Sequence, residues 1–505
     1  MAENKNHRII GKIIIQGTLT NTTPVLIGKG EGETTDVEIM RMPSGLPYIP
    51  ASSITGCLQH QFITRKLAPG SSMQKKYEEQ ALRFWGSDKM TDENGEDIKT
   101  YQSHIIFDDL ITTDPAAKDK IVIRDGVRID PKKNIAENKG KYDYEILEPE
   151  VTFHLRAEVT LREGTIPGVF KKYVGFILSI LQDDFRVGAH INTGFGKIKC
   201  EVKAWYFDFQ GNVEQRDEWF NYLSELYAQP ILNDKHFAIR PSPSVEIIAP
   251  EQLTPDTSTF TVSAAFKIKS ALIIGSYGIK DEDADKTHLT SSGKDKDGKD
   301  IKNNVLSGKS IRGALRHRAL KILNTLEIDR AEDKINDLFG YVVYKPGEKK
   351  DEAKKGRLRI EEEVVSGTKA QIQNRNKIDR FTGGTISSAL FNSEPLWRIK
   401  DEKHLSINLS VTSISNGRFW EPALLLFLLK DLWMADLPIG GEKNVGRGVL
   451  VGVDAQISFN ETKVHIVRKD GAMTDEPTIE GNIVDLAPLT ADWENFIKDN
   501  RKQPE

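Results

Sequence analysis

One short pattern occurs twice in this chain, and that duplication limits what it can fold into more than any other feature. The run Leu306-Ser307-Gly308-Lys309-Ser310-Ile311-Arg312-Gly313-Ala314-Leu315-Arg316-His317-Arg318 has an earlier counterpart in Ile49-Pro50-Ala51-Ser52-Ser53-Ile54-Thr55-Gly56-Cys57-Leu58-Gln59-His60-Gln61. Aligned at Ser53 and Ser310, 257 positions apart, the two share Ser, Ile, Gly, Leu and His in one order. Further pairs keep nearly that offset. Phe84-Trp85-Gly86 matches Leu338-Phe339-Gly340 at 254, and Ser103 to Asp108 matches Gly356 to Glu361 at 253. Arg128-Ile129-Asp130 matches Lys377-Ile378-Asp379 at 249, and Asn192-Thr193-Gly194-Phe195-Gly196 matches Asn444-Val445-Gly446-Arg447-Gly448 at 252. Five pairs in one order identify a tandem duplication.

Two domains of roughly 200 residues follow, each large enough to bury a core. The boundaries expected are 1–210 and 259–460, with 211–258 as a linker that offers one candidate helix, Glu218 to Tyr227, before its prolines, and 461–505 as a tail. The longest apolar run, Ala423 to Leu429, is far short of a membrane span, and the polar Met1 to Arg8 stretch does not resemble a signal peptide. Cys57 and Cys200 match no metal spacing, which points to a reducing cytoplasm. Net charge is −4, so affinity for a polyanion has to come from where cations lie, not from their number. Lys309, Arg312, Arg316, Arg318 and Lys321 crowd one segment, while acids gather at Asp281 to Asp285.

Each half reads in the same order. Ile9 to Thr20 is a strand, and a glycine loop then ends in Asp36. The helix over about Ser52 to Leu67 follows, with a second helix over Ser71 to Phe84 and a short strand at His104 to Asp109. Arg124 to Glu150 is polar and rich in Lys, Asn and Asp, and reads as a protruding hairpin or loop. Val151, Phe153, Leu155, Ala157, Val159 and Leu161 alternate as a half-buried strand does. Val169 to Leu181 is helical, and the glycine loop Gly188 to Gly196 leads to a strand over Lys197 to Phe207. The second half repeats this with a strand over Phe260 to Ile268, a longer charged loop at Lys280 to Asn304 and a basic helix. A hairpin over Gln371 to Pro395, a strand over His404 to Ile414, a helix over Glu421 to Met434 and a loop over Pro438 to Gly448 complete it. The order predicts an α+β fold with helices on one face of an antiparallel sheet.

Three familiar motifs fail on context. Gly28-Lys29-Gly30-Glu31-Gly32 does not run into a helix, as a dinucleotide fingerprint must. Gly308-Lys309-Ser310 ends like a Walker A loop, but its first glycine position holds Asn303. The Asp295-Lys296-Asp297-Gly298 cluster would need Glu at its twelfth calcium-loop position and has Leu306.

The helix starts, the Trp85-Gly86 and Phe339-Gly340 turns, the Asp36 loop and the two glycine loops, in this order and twice over, resemble the RAMP superfamily. More narrowly, they are similar to the backbone subunits of type III CRISPR effector complexes. The resemblance implies two tandem ferredoxin-like (RRM-like) domains with thumb-like hairpin insertions that splay guide–target pairing. It implies partners in guide RNA, target RNA and other RAMP-type effector subunits, with no membrane, and an aspartate after the first strand that promotes metal-dependent cleavage of target RNA.

On that reading Asp36 is the first catalytic and metal-holding residue, a single carboxylate able to hold a hydrated Mg²⁺ or Mn²⁺; a solvated loop acid is the plainer alternative. Asp285 is its counterpart, because it precedes Lys286-Thr287-His288-Leu289 as Asp36 precedes Val37-Glu38-Ile39-Met40. Asp281 and Asp283 are alternatives. Lys309, Arg312, Arg316 and Arg318 read as phosphate contacts or as an ordinary solvated helix face. Ser52, Ser53 and Ser310 offer donors to phosphate, helix caps, or both. Gly194, Phe195, Gly196, Gly446 and Gly448 allow close approach of RNA or a tight turn, with Lys443 and Arg447 favouring RNA in the second copy. Arg128, Lys132, Lys133, Arg375, Lys377 and Arg380 touch the duplex or solvate the hairpins. His60 and His317 share a position, with packing favoured over catalysis. Three functions fit: a metal-dependent endoribonuclease, a non-catalytic guide-binding scaffold, and a metal-independent guide-processing ribonuclease.

Overall fold

The isoleucine run Ile13-Ile14-Ile15 is wholly buried, because the strand that contains it, Ile9–Asn21 (β1), is covered on both faces. The computed structural model describes residues 8–30, 32, 35–66, 81–86, 101–130, 135–230, 233–252, 259–276, 284–295, 297–343, 352–400, 403–412, 414, 417–460, 462–468, 478–480 and 487–502. They group into two units. The first comprises Met1–Ile123, Tyr144–Ala189 and Gly196–Pro255; the second comprises Arg124–Asp143, His190–Phe195 and Asp256–Glu505.

From β1 the chain continues into Ala51–Lys66 (α1), Ile105–Phe107 (β2), Ile121–Ile129 (β3), Ala136–Leu147 (β4) and Thr152–Arg162 (β5), all in the first unit except residues 124–143 of β3 and β4, which group with the second. Pro167–Gln182 (α2), Ile198–Asp208 (β6), Val213–Tyr227 (α3), Asp234–Ala238 (α4) and Glu246–Ile248 (β7) follow. β1 lies antiparallel between β5 and β6, with Ile13 opposite both Val159 and Tyr206. β2 pairs with β5, and β7 pairs with β6. β3 and β4 form a hairpin.

Alternation along β5 buries Phe153, Leu155, Ala157, Val159 and Leu161 against α1 and α2. Ile54, Leu58 and Phe62, spaced by four, form the buried stripe of α1. Proline at the first turn of α2 loses no helical hydrogen bond. The Phe62 ring meets Tyr173 edge-on at 5.1 Å and Phe176 at 5.3 Å, so truncating it to Ala would cost about 3–5 kcal/mol.

The second unit repeats this order. Phe260–Ile268 (β8) is followed by Thr290–Lys294 (β9), Asp300–Leu306 (β10), Gly308–Thr325 (α5), Ala331–Phe339 (α6) and Leu358–Ile360 (β11). Gln373–Ile378 (β12) and Thr385–Ser393 (β13) form the second hairpin. Leu405–Val411 (β14), Trp420–Trp433 (α7), Leu450–Phe459 (β15), Thr462–Val467 (β16), Thr478–Glu480 (β17) and Ala487–Asn500 (α8) complete the unit. β8 lies between β14 and β15, and β11 pairs with β14, as β1 lies between β5 and β6 and β2 pairs with β5. Duplication in sequence is therefore duplication in topology. Ile311, Leu315, Ala319 and Leu323 form the buried stripe of α5.

Three expectations need correction. Residues 211–258 are more than a linker. There α3 and β7 pack on the first sheet, and Trp219, Tyr222, Leu226 and Val245 bury Ile14, Trp205 and Phe207. The candidate helix over Glu218 to Tyr227 is α3, which begins earlier at Val213, and the prolines at 241, 243 and 250 shape only the return. Nor is 461–505 a weak tail. β16 pairs with β15, and α8 stacks Phe496 on Trp420 at 4.2 Å, using apolar residues at 489, 493 and 496. Within Lys280–Asn304, expected as a loop, β9 and β10 pair as a hairpin. Of the helix expected over Ser71 to Phe84, residues 81–85 are helical, and 71–80 lie outside the described residues. Among the described residues no helix is long and apolar enough to cross a membrane.

Candidate functional site

Asp36 is exposed in an irregular segment that doubles back on itself. Gly28 bridges Ile39, Met40 N–H donates to Ile27 O at 2.9 Å, and Arg41 bridges Pro47. Extended pairing of this kind is incompatible with a helix after the glycines, as the sequence implied. The end of β4 braces the segment. Tyr144 bridges Val37, and Glu145 N–H donates to Val37 O at 2.9 Å. The Glu145 carboxylate accepts Ile39 N–H at 3.1 Å and pairs with Arg41 at 2.8 Å. Lys29 pairs with Glu38 at 2.6 Å. Asp36 is thus an outward acid on a backbone fixed from both sides.

Among the described residues no group of three His, Cys, Asp or Glu is placed to hold a metal ion. A hydrated Mg²⁺ keeps most of its waters and takes one or two carboxylates with substrate phosphates, so it does not require such a group.

Asp285, also exposed, exchanges hydrogen bonds with Asn392 of β13. Asp281 and Asp283 lie outside the described residues, as do Lys132 and Lys133.

At the helix starts the caps are not those expected. Ala51 N–H donates to Asp109 Oδ1 at 2.7 Å, so a residue 58 positions away satisfies the first turn of α1. Ser52 is exposed, Ser53 half-buried. In α5 the cap is Ser307, whose Oγ accepts Lys309 N–H at 3.2 Å, and Ser310 N–H donates to Ser307 O. Gly308 sits so close to Thr193 O that a Cβ would collide with it.

The arginines of α5 face the protein's own acceptors. Arg312 donates to Leu358 O at 2.6 Å and to Phe339 O. Arg316 donates to Asn336 Oδ1 at 3.0 Å and pairs with Glu332 at 3.3 Å. Arg318 pairs with Asp431 and Asp436, each at 2.6 Å, and its hydrogen bond to Asp431 raises its pKa. Lys309 Nζ lies 5.4 Å from the Tyr142 ring centroid and 5.9 Å from that of Phe195. Burial pushes its ammonium down to about 7, with Arg124 adding to the effect and Glu362 opposing it. Burial likewise pushes Arg312 down to about 10. The run that looked like a phosphate-binding face is an interior scaffold in this structure, because its acceptors come from residues remote in sequence.

Both glycine loops are short 3-10 turns, Ile191–Thr193 and Lys443–Val445. Gly194, Gly196, Gly446 and Gly448 all have φ between 76° and 96°, a left-handed backbone that favours glycine. Phe195 is buried, and so is Arg447, which pairs with Glu442 and donates to Ser393 Oγ at 3.2 Å. Lys443 and Gly446 are exposed. An open groove of about 610 Å³ separates this loop from the base of the second hairpin, lined by Asn374, Arg375, Asn376, Phe391, Glu442, Asn444 and Val445. Lys377 and Arg380 on that hairpin are exposed, as is Arg128 on the first. His60 is exposed and His317 half-buried. Sequence reasoning missed Asp109, Glu145 and Asn392; only the Asp109 position, just after a strand, carried a local signal.

A family model described as the RAMP superfamily matches residues 18–199 and 266–451, one stretch in each copy of the repeat. A search of curated proteins found no match.

Proposed function

The chain belongs to the RAMP superfamily, and from that premise we propose that it is a type III CRISPR effector backbone subunit that binds guide RNA and cuts the paired target. Family membership points to a CRISPR-associated effector subunit that works on RNA beside other subunits. The observation behind the finer reading is that a family match falls on each of two copies with one strand order. In each copy the central strand lies between the third and fourth strands of a β-α-β-β-α-β series, the ferredoxin-like (RRM-like) order. A fused pair of such modules would occupy two successive positions on a guide–target duplex.

Cleavage by the neighbouring 2′-hydroxyl of RNA requires in-line attack and neutralised charge on the phosphorus-bound oxygens. A bound Mg²⁺ or Mn²⁺ supplies that neutralisation. Asp36 would hold it, aided by the brace that Glu145 and Tyr144 give its loop, and Asp285 would do so in the second copy. Arg128, Lys377 and Arg380, exposed on the hairpins, would neutralise backbone charge without reading sequence. Lys309, Arg312, Arg316, Arg318 and Arg447 serve mainly to hold the fold that presents these groups.

A second reading is a guide-binding scaffold with the same fold and no cleavage. The test is Asp36→Ala in the assembled, guide-loaded complex with labelled target. Loss of one cut, and loss of all cuts in EDTA, is expected. Uncut target with the wild-type complex and Mn²⁺ would establish the scaffold. Cutting that survives EDTA would point to a metal-independent ribonuclease.

A further inference from the structure

The glycine turn Ile191–Thr193 and the base of the first hairpin both meet a protein surface inside the second unit, which takes in His190–Phe195 and Arg124–Asp143 with Asp256–Glu505. A Cβ on Gly308, at the start of α5, would strike Thr193 O, and one on Gly194 would strike Glu362 N. Asn192 Nδ2 donates to Gly356 O. At the hairpin base Arg124 gives both ends of its guanidinium to Glu362, Nη1 to Oε2 at 2.6 Å and Nη2 to Oε1 at 3.0 Å. Thr193, Gly194, Gly308 and Gly356 are all buried. A glycine turn and a hairpin base thus lock onto a helix start and the strand beside it.

The repeat supplies each half of this lock once more, and there both halves are open. Asn192, Thr193 and Gly194 correspond to Asn444, Val445 and Gly446. The two turns share a backbone shape, each entered through a left-handed residue, His190 at φ 59° and Glu442 at φ 56°. Yet Asn444, Val445 and Gly446 are exposed, and a Cβ on Gly446 would meet nothing within 4 Å among the described residues. Asn444 and Val445 border the groove whose other wall is Asn374, Arg375, Asn376 and Phe391 at the base of the second hairpin. On the receiving side, Gly308 corresponds to Ala51, Gly356 to Ser103 and Glu362 to Asp109. Ser52 and Asp109 are exposed, while Ala51 and Ser103 are half-buried.

We propose that the open turn at 442–446 and the groove beside it receive the helix start at 51–52 and Asp109 of a second copy of this chain. The inference stands apart from any reading of Asp36 and needs no cleavage. Protein is the occupant that fits, because the equivalent turn is filled by protein backbone at Gly308, Gly356 and Glu362. Charge agrees as well: Arg375 at the second hairpin base is the cation that Asp109 would meet, as Arg124 meets Glu362. The two open halves are unlike, so copies join head to tail and the contact does not close on itself as a two-fold one does. Ala51 limits its strength. Where Gly308 leaves room for the facing carbonyl, Ala51 carries a Cβ, so the contact between chains is looser than the lock within the second unit.

The test is sedimentation velocity of the full chain, treated with nuclease, from about 1 to about 100 µM. Average mass is expected to rise with concentration through dimers to longer chains. Val445→Arg and Ser52→Arg, both at exposed positions, should each remain monomeric with an unchanged melting temperature. Mixed one to one, they should form dimers and nothing longer, since each chain keeps one sound half. Ala51→Gly should tighten association about tenfold. A wild type that is monomeric throughout overturns the proposal. So does a mixture that stays monomeric, or a Val445→Arg chain that associates as the wild type does. Growth in mass that nuclease abolishes would assign the groove to RNA and overturn it too.

Discussion

Asp285 and Asn392 each donate a backbone N–H to the other's side chain, Asp285 N to Asn392 Oδ1 at 2.6 Å and Asn392 N to Asp285 Oδ2 at 2.9 Å. The exchange ties the second candidate acid to the return strand of the second hairpin, so a structural and a chemical role must be separated by substitution. Asp285→Asn keeps an acceptor oxygen and the shape but loses the charge. If this acid holds a cation, the variant loses one target cut about 100-fold while its melting temperature holds. Asp285→Ala should lose the same cut and also about 1 kcal/mol of stability. Target cut at every position by the Asn variant would remove Asp285 from the catalytic set.

The cations divide into two groups that salt titration can separate. Arg318 is tied to Asp431, whose side chain is 7% exposed, so Arg318→Ala should cost about 3 kcal/mol. It should leave the salt dependence of guide binding unchanged. Arg128, 73% exposed, and Lys377 stand on the hairpins. Alanine at either should spare the melting temperature and reduce the slope of log affinity against log salt by about 1. Filter binding of guide RNA over a range of salt, beside thermal melts, checks both.

Much of the scaffold was legible because its signals are local. The alternation of Val151 to Leu161 depends only on neighbours in sequence, and Thr152–Arg162 is the strand it predicted. The apolar run in Glu421 to Met434 likewise matched the helix Trp420–Trp433. What a charged side chain touches is not local. Arg312 finds carbonyls at 339 and 358, and Arg318 finds carboxylates at 431 and 436. From sequence, a helix face rich in arginine looks the same whether it meets solvent, phosphate or the protein's own carbonyls. The acids had the opposite fate: Asp36 and Asp285 are exposed, as a solvated loop acid and a cation-holding acid both would be.

Glu421 on α7 is fully buried, with Arg357 chelating its carboxylate and Arg418 at 3.2 Å. Burial raises its pKa and Arg357 pulls it back. Arg357→Met should leave the carboxylate with Arg418 alone and cost about 3 kcal/mol in urea unfolding. Adding Glu421→Gln should recover much of that loss, because the buried charge goes too. A double variant no more stable than Arg357→Met would show that packing of the Arg357 stem, not charge, is what counts.

Stability of the second unit should depend on pH through two bases held below their ordinary values. Burial, reinforced by Lys309, pushes His190 to about 4, and burial, reinforced by Arg124, pushes Lys309 to about 7. A base with a lowered folded pKa binds fewer protons folded than unfolded between its two values. Stability therefore rises with pH across each window: about 4 to 6.5 for His190, about 7 to 10.5 for Lys309. Below about 7 the folded chain must keep a charged ammonium beside Arg124, with Glu362 as the opposing charge. Lys309→Met removes that burden and keeps a flexible apolar stem against Tyr142 and Phe195. Urea unfolding at pH 6, 7.5 and 9 should find the variant more stable than wild type at pH 6. The gap should narrow steadily as pH rises, because the wild type gains what the variant already has. A constant gap would show that the ammonium never loses its proton there.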